Sequence, residues 1–301
     1  MRRFVPELEQ LWLGERSRRG SQFKRPPAPD PRMKLALAQL AIEPGDPATN
    51  RERAADAVVQ AAENGCDLAV LPEIFTVGYF AFDSYARSAE PIDGPTVTEL
   101  QSLAAEHGIS ILAGSFVEDL ETSTERGFET PAPEGYANTS VYVDAGGDRR
   151  AIYRKHHLFG YGSAERELLV PGESQPTVTE HGFTIGMTTC YDLRFPEQYR
   201  RLVDDGVTLT LVPSAWPSPR LEHWRLLPRA RAAENLMYVA AVNGAGVFED
   251  AELLGRSTVY DPWGTTVAGA GGGPDFVTAR INADRVDQRR EEFPALADRR
   301  E

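Results

Sequence analysis

The stretch from Phe183 to Pro196, Phe-Thr-Ile-Gly-Met-Thr-Thr-Cys-Tyr-Asp-Leu-Arg-Phe-Pro, restricts the possible folds more than any other part of this 301-residue chain. Thr184 to Thr189 are small, β-branched or apolar, as in a buried strand, and Pro196 suits the first turn of a helix. A strand that runs straight into a helix is the unit of layered α/β architecture. The same succession recurs along the chain. An apolar strand at Leu35 to Leu40 precedes a helix capped by Asp46-Pro47. Its stripe of Ala54, Ala55, Val58, Val59 and Ala62 ends at Asn64-Gly65. A buried strand from Asp67 to Glu73, a helix from Pro95 to His107 and a strand from Ile109 to Val117 follow. Asn138 to Val143 and Ala151 to Arg154 read as a hairpin around Ala145-Gly-Gly-Asp148.

Beyond Pro196 the pattern continues with helices to Asp204, at Glu222 to Asn235 and at Ala283 to Glu292. Strands are expected at Thr208 to Val212, Met237 to Val242, Ser257 to Tyr260 and Phe276 to Ile281. The expectation is an α/β chain in which helices flank a sandwich of sheets. Glu118 to Pro133, polar and rich in Thr, Ser, Gly and Pro, reads as an exposed loop. Gly269 to Gly273 lacks the strand and helix that a phosphate-binding glycine fingerprint requires.

Composition narrows the setting. The net charge is −13, yet residues 1–32 carry eight Arg or Lys against four Asp or Glu, a net of +4 that leaves −17 on the rest. That first segment lacks the apolar run of a secretory signal and ends in Pro-Pro-Ala-Pro-Asp-Pro. It is read as a disordered extension or an over-long start, with residues 33–301 as the folded domain. An acidic body disfavours a nucleic-acid partner, and no segment is long and apolar enough to span a membrane. Two cysteines, Cys66 and Cys190, argue against a disulfide framework or a cysteine-built metal site and suit a reducing cytoplasm. Lysine is scarce, with Lys24, Lys34 and Lys155 against 29 arginines. A salt-rich cytoplasm would account for that balance, and so would an arginine-favouring GC-rich genome.

Several residues are placed for chemistry. Cys190 sits at a strand-to-helix turn, where backbone N–H groups favour negative charge on its sulfur; a small core residue has the same appearance, and the stretch alone does not choose. Glu73 ends a strand among apolar neighbours, which raise a carboxyl pKa and suit a general base. Lys155 stands at the hairpin exit in a chain that otherwise uses arginine, and its compact ammonium suits a single developing oxyanion. Glu165 lies in a loop able to fold back beside Lys155, or to pair with Arg166 at the surface. His156 and His157 lack companions at metal-ligand spacing and are read as packing and loop-bonding residues.

Leu-Pro-Glu73 followed by Gly78-Tyr79, Tyr153-Arg-Lys155 followed by His157-Leu-Phe159, and Cys190-Tyr-Asp-Leu-Arg-Phe-Pro-Glu197 stand in that chain order. His223-Trp224 through Arg229-Ala-Arg-Ala-Ala-Glu234-Asn235 follows. This set resembles the nitrilase superfamily of carbon–nitrogen hydrolases over residues 33–301. The resemblance implies an αββα sandwich that pairs into a dimer or larger homo-oligomer. Glu73, Lys155 and Cys190 become the catalytic triad and Glu165 the family's second glutamate, with Lys155 favouring the thiolate. No cofactor or metal is implied.

Tyr191-Asp192 after the cysteine is similar to the amidase branches, whereas true nitrilases carry Trp-Glu there. Trp216-Pro-Ser-Pro-Arg220 before His223-Trp224 is similar to bacterial ω-amidases. The implied substrate is a small carboxylate-bearing amide, contacted by Tyr191, Arg194, Trp216 and Arg220, with Arg194 or Arg220 meeting the carboxylate. Arg194 has a structural alternative, pairing with Asp192 or Glu197. Deaminated-glutathione amidase and N-carbamoyl hydrolase activities share every catalytic residue. A non-catalytic scaffold would be expected to have lost one of the three.

Overall fold

The computed structural model describes residues 30–248 and 251–300. Strand β1 (Arg32–Gln39) leads to helix α1 (Pro47–Glu63), whose first turn holds Pro47 and is capped by the Asp46 carboxylate accepting from Thr49 N at 3.1 Å. β2 (Leu68–Val70), the one-turn α2 (Tyr85–Ser88), α3 (Pro95–His107), β3 (Ser110–Leu112) and β4 (Phe116–Asp119) follow. Next come α4 (Leu120–Glu125), the hairpin of β5 (Tyr136–Val143) and β6 (Arg149–Arg154), and α5 (Glu165–Leu168). The second half holds β7 (Thr177–Glu180), β8 (Phe183–Met187), α6 (Pro196–Asp204), β9 (Leu209–Ser214), α7 (Leu221–Asn235) and β10 (Tyr238–Asn243). A small hairpin of β11 (Ala245–Phe248) and β12 (Ala251–Leu254), then β13 (Thr258–Tyr260), β14 (Thr266–Gly269), β15 (Asp275–Asn282) and α8 (Asp284–Glu292) complete it.

The strands form two large sheets. The first runs β15-β1-β2-β3-β5-β4 with β6 on β5, and the second runs β14-β13-β10-β9-β8-β7. β15 returns from the second half to pair antiparallel with all of β1, from Arg32 opposite Asn282 to Gln39 opposite Asp275.

Side-chain alternation explains the layers. Leu35, Leu37, Leu68 and Val70 point inward and pack with Ile185, Leu209, Leu211, Ala240 and Val242 of the other sheet. Their neighbours Ala36, Ala38 and Ala69 face outward, where Ala54, Val58 and Ala61 of α1 and Val97 and Leu100 of α3 cover them. On the far side α6 and α7 lay Tyr199, Leu202 and Trp224 over Val212, Val239 and Ala241. The order helix, sheet, sheet, helix is the expected αββα sandwich. Among the described residues no helix is long and apolar enough to cross a membrane.

The structure corrects the reading in several places. The strand expected from Ile109 to Val117 breaks at Gly114, and β5 lies between its two halves. Gly114 has φ +35°, and a Cβ there would stand 2.0 Å from Pro72 O, so the crossing of these two backbones requires glycine. Glu118 to Pro133 is not simply a loop. Glu118 is fully buried in β4, and Asp119 caps α4 by accepting from Thr122 N at 3.2 Å. The first strand begins ahead of Met33, since Arg32 opens β1 and Ala283 N bonds to Pro31 O at 2.8 Å. The rest of the expected extension, residues 1–29, lies outside the described residues. Strands β7, β11, β12 and β14 were not anticipated; each has only four residues, too few for alternation to register.

Candidate active site

Glu73 lies three residues beyond β2, in a turn fastened by its neighbours. Ile74 takes φ +44°, a conformation a β-branched residue adopts only when held; here its N–H donates to Ser115 Oγ at 2.8 Å, and Phe75 N to Ser115 O at 3.1 Å. Lys155 directly follows β6. Its N–H donates to Asn138 O at 2.9 Å and its carbonyl accepts from Gly172 N at 3.0 Å. Gly172 permits that approach, because a Cβ would lie 2.2 Å from Arg154 O. Glu165 opens α5 and turns inward, so the surface pairing with Arg166 does not occur.

These three side chains meet without solvent. Lys155 Nζ lies 2.8 Å from Glu73 Oε1 and 2.8 and 3.0 Å from the two oxygens of Glu165, and all three side chains are inaccessible. Asn138 Nδ2 donates to Glu73 Oε1 at 2.9 Å and to Glu165 Oε1 at 3.1 Å. Tyr79 Oη and Phe159 N complete Glu165 Oε2 at 3.0 and 2.8 Å.

Cys190 lies three residues beyond β8 and opens a short 3-10 helix, Cys190–Arg194, with φ +49°, the left-handed region that an L-residue occupies at a cost, as nucleophiles on sharp strand-to-helix turns do. Asp192 secures that turn. It accepts from Thr189 N at 2.8 Å, His157 N at 3.0 Å, His157 Nδ1 at 2.7 Å and Tyr153 Oη at 2.5 Å. His157 also stacks on Phe195 with ring centroids 3.6 Å apart, which ties the lysine loop to the cysteine turn, while His156 bonds to Ser174 O at 3.0 Å in the loop before β7. Among the described residues no group of three His, Cys, Asp or Glu side chains is arranged to hold a metal ion.

Electrostatics set the resting protonation. Burial raises the Glu73 pKa, with Lys155 opposing and the Glu165 charge adding to the rise. Burial works against the Lys155 charge, but Glu165 and Glu73 outweigh it and hold its pKa well above the ordinary range. The Cys190 thiol is pushed well up, by burial first and by Glu73 second, against the opposing pull of Lys155 and of the Ala215 N–H. Lys155 and a local N–H favour the thiolate, as expected, but burial and Glu73 outweigh them. The ammonium already serves two carboxylates. Glu73 Oε2 is buried without a hydrogen-bond partner, and the Cys190 thiol is among the groups that act on this carboxyl.

Over the sulfur lies a cavity of only about 20 Å³, lined by Tyr79, Phe159, Tyr191, Arg194, Trp216 and Arg220 among others. Such a space holds about one water. Arg194 bonds His223 Nδ1 at 3.0 Å and lies 5.1 Å from the Trp216 ring centroid; Arg220 lies 4.4 Å over Phe159. Arg194 does not pair with Asp192 or Glu197, because Asp192 is occupied by the turn and its own side chain reaches the other way to His223. Neither guanidinium makes an ion pair among the described residues. Asn138 escaped the sequence reading, although an amide inside a strand of buried residues was a signal. Tyr79 was noticed only as part of a motif.

Known proteins share this frame. A 2-oxoglutaramate amidase of Paenarthrobacter nicotinovorans is 37% identical over 238 residues, covering 78% of each chain. A deaminated glutathione amidase of Bos taurus is 34% identical over 276 residues, covering 88% of this chain and 81% of its own. Among solved structures, a CN-hydrolase superfamily protein of Xanthomonas campestris with an arsenic adduct in its active site superposes with a TM-score of 0.80 at 32% identity. That match covers 90% of this chain and 98% of the other. The carbon–nitrogen hydrolase family model matches residues 34–291, and with the αββα layers and the converging site this chain belongs to that family.

Proposed function

We propose that this chain is a thiol amidohydrolase cleaving the terminal C–N bond of a small carboxylate-bearing amide, in the manner of an ω-amidase. The observation that carries the reading is the convergence of Glu73, Lys155 and Glu165 at 2.8–3.0 Å beside a buried Cys190. Glu73 takes the thiol proton as sulfur attacks the amide carbon. The oxyanion forms against the Lys155 ammonium and the Tyr191 N–H, donors whose individual loss costs on the order of a hundredfold or more in rate. Collapse breaks the C–N bond, and Glu73 returns its proton to the leaving nitrogen, which departs as ammonia. Glu73 then draws a proton from water attacking the thioester, which frees the carboxylic acid and restores the thiol. Glu165 keeps Lys155 charged and in place.

Arg194 and Arg220 face the substrate with their charges unneutralised by protein carboxylates, which suits a substrate anion. The Trp216 indole N–H, buried without a partner, offers a further donor. The relatives named for 2-oxoglutaramate and deaminated glutathione both act on amides, and 2-oxo dicarboxylic acid monoamides are the favoured class. The working form is taken to be a cytoplasmic homodimer or larger homo-oligomer, which sedimentation would check.

The test is ammonia release from 2-oxoglutaramate, deaminated glutathione, N-carbamoyl amino acids and a nitrile, with Cys190→Ala alongside. Release from one carboxylate-bearing amide that the variant abolishes is expected. Release from the nitrile instead, or turnover that survives Cys190→Ala, would overturn the reading. Arg220→Ala should lose the preference for carboxylate-bearing amides.

A further inference from the structure

The geometry points to Asn138 as the residue that positions the proposed base and the ammonium relative to each other. This inference rests on the reading of Glu73 as that base. Asn138 touches three of the cluster's members: its carbonyl accepts the Lys155 N–H at 2.9 Å, and its amide nitrogen donates to Glu73 Oε1 at 2.9 Å and Glu165 Oε1 at 3.1 Å. It is almost fully buried, in β5 opposite Val117, on a strand that is paired on both sides.

The choice of side chain follows from what the cluster lacks. One ammonium stands between two carboxylates, and without another tie Glu73 is free to turn both oxygens onto Lys155 and lose its role as a base. A primary amide supplies two diverging N–H donors and no charge. A serine would reach one carboxylate, and a second cation would neutralise the base it was meant to hold. The amide orientation is set by the same partners, since the reverse placement would bring Oδ1 against two carboxylate oxygens. Oδ1 itself has no hydrogen-bond partner. Asn138 is held there by what its nitrogen does. With Oε1 occupied by Asn138 and Lys155, Oε2 is the oxygen left for the thiol.

The experiment compares wild type, Asn138→Ala, Asn138→Ser and Glu73→Gln in two ways across pH. One is ammonia release from the preferred amide; the other is alkylation by iodoacetamide, read as modification of the Cys190 peptide, which needs no substrate. Asn138→Ala should lower kcat on the order of 10- to 100-fold with KM within about threefold, the loss expected when hydrogen bonds to a charged group are removed. It should also move the acid limb of both profiles to higher pH, because a carboxylate that loses donors binds its proton more tightly. Asn138→Ser, with one donor, should recover part of each effect. Wild-type rates and profiles in Asn138→Ala would overturn the inference. So would a loss that tracks only the folded fraction, measured by circular dichroism, with the acid limb unmoved. Should Glu73→Gln alkylate like wild type, the base reading itself fails, an outcome separable from normal Glu73 dependence with an indifferent Asn138.

Discussion

Arg154 and Lys155 are consecutive, both buried, and both paired with glutamate, yet they serve opposite ends. Arg154 forks onto Glu118, Nε to Oε2 at 2.6 Å and Nη2 to Oε1 at 2.8 Å, and Thr139 Oγ1 adds a third bond at 2.7 Å. One cation meets one anion, with both carboxylate oxygens satisfied. Lys155 meets two carboxylates, and one oxygen of Glu73 stays without an N–H or O–H donor. Strained residues flank that site at Ile74 and Cys190. The first pair closes its charge and holds β4, β5 and β6 together. The second leaves one carboxylate oxygen without a partner inside the protein, where burial, with the neighbouring carboxylates, raises the pKa of both Glu73 and Cys190.

Altering each half should therefore produce effects of different kinds. The largest is expected from Glu73→Gln, a fall in kcat on the order of 10²- to 10⁴-fold, as when a general base is lost. Its stability should move the other way. The Glu73 pKa is raised on folding, so its contribution to stability is fully present below the unfolded pKa and disappears as pH rises through the folded value. Above the unfolded carboxyl pKa that raised value works against folding, and thermal melting of Glu73→Gln at neutral pH should occur at or above the wild-type temperature. A lower melting temperature would show the two ion clusters to be alike.

Glu118→Gln should do the reverse. It leaves the Arg154 charge buried without its partner, a defect of about 3 kcal/mol or more. Urea unfolding should show that loss, with turnover per folded molecule unchanged. A catalytic defect exceeding the folding defect would erase the distinction. Lys155→Arg tests geometry at constant charge. A guanidinium would engage Glu73 through two N–H groups, as Arg154 engages Glu118, and kcat should drop on the order of a hundredfold while the fold persists.

The smallest effect is expected from Glu165→Gln on the pH profile. Glu165 raises the Glu73 pKa, so removing its charge should lower that pKa and move the acid limb of kcat/KM to lower pH. Movement to higher pH would mean that Glu165 acts mainly by holding Lys155 in place.

The same contrast separates what was readable in the residues from what was not. Glu73, Lys155 and Cys190 could be singled out because each sits at the end of a recognisable local element, and the family resemblance added Glu165 from a loop. Glu118 was assigned to an exposed loop, since its neighbours are polar and nothing local announces that Arg154 will cover it. Asn138 passed as one residue of a strand. The net direction of the Cys190 pKa was hidden for a related reason. The turn favours a thiolate, but the decisive influences are burial and a carboxylate from a distant segment.

By itself, then, the sequence determined the layers, most of the longer helices and strands, and the order of the reactive residues. Alternation, helical stripes, caps and turns depend on near neighbours and are written into short windows. Only the tertiary structure decided how the charges pair and which of them remain open. Glu73 and Lys155 are 82 positions apart, and Glu118 and Arg154 are 36 apart. Their energies depend on distance and on the exclusion of water, and both arise only when the two sheets close over one another.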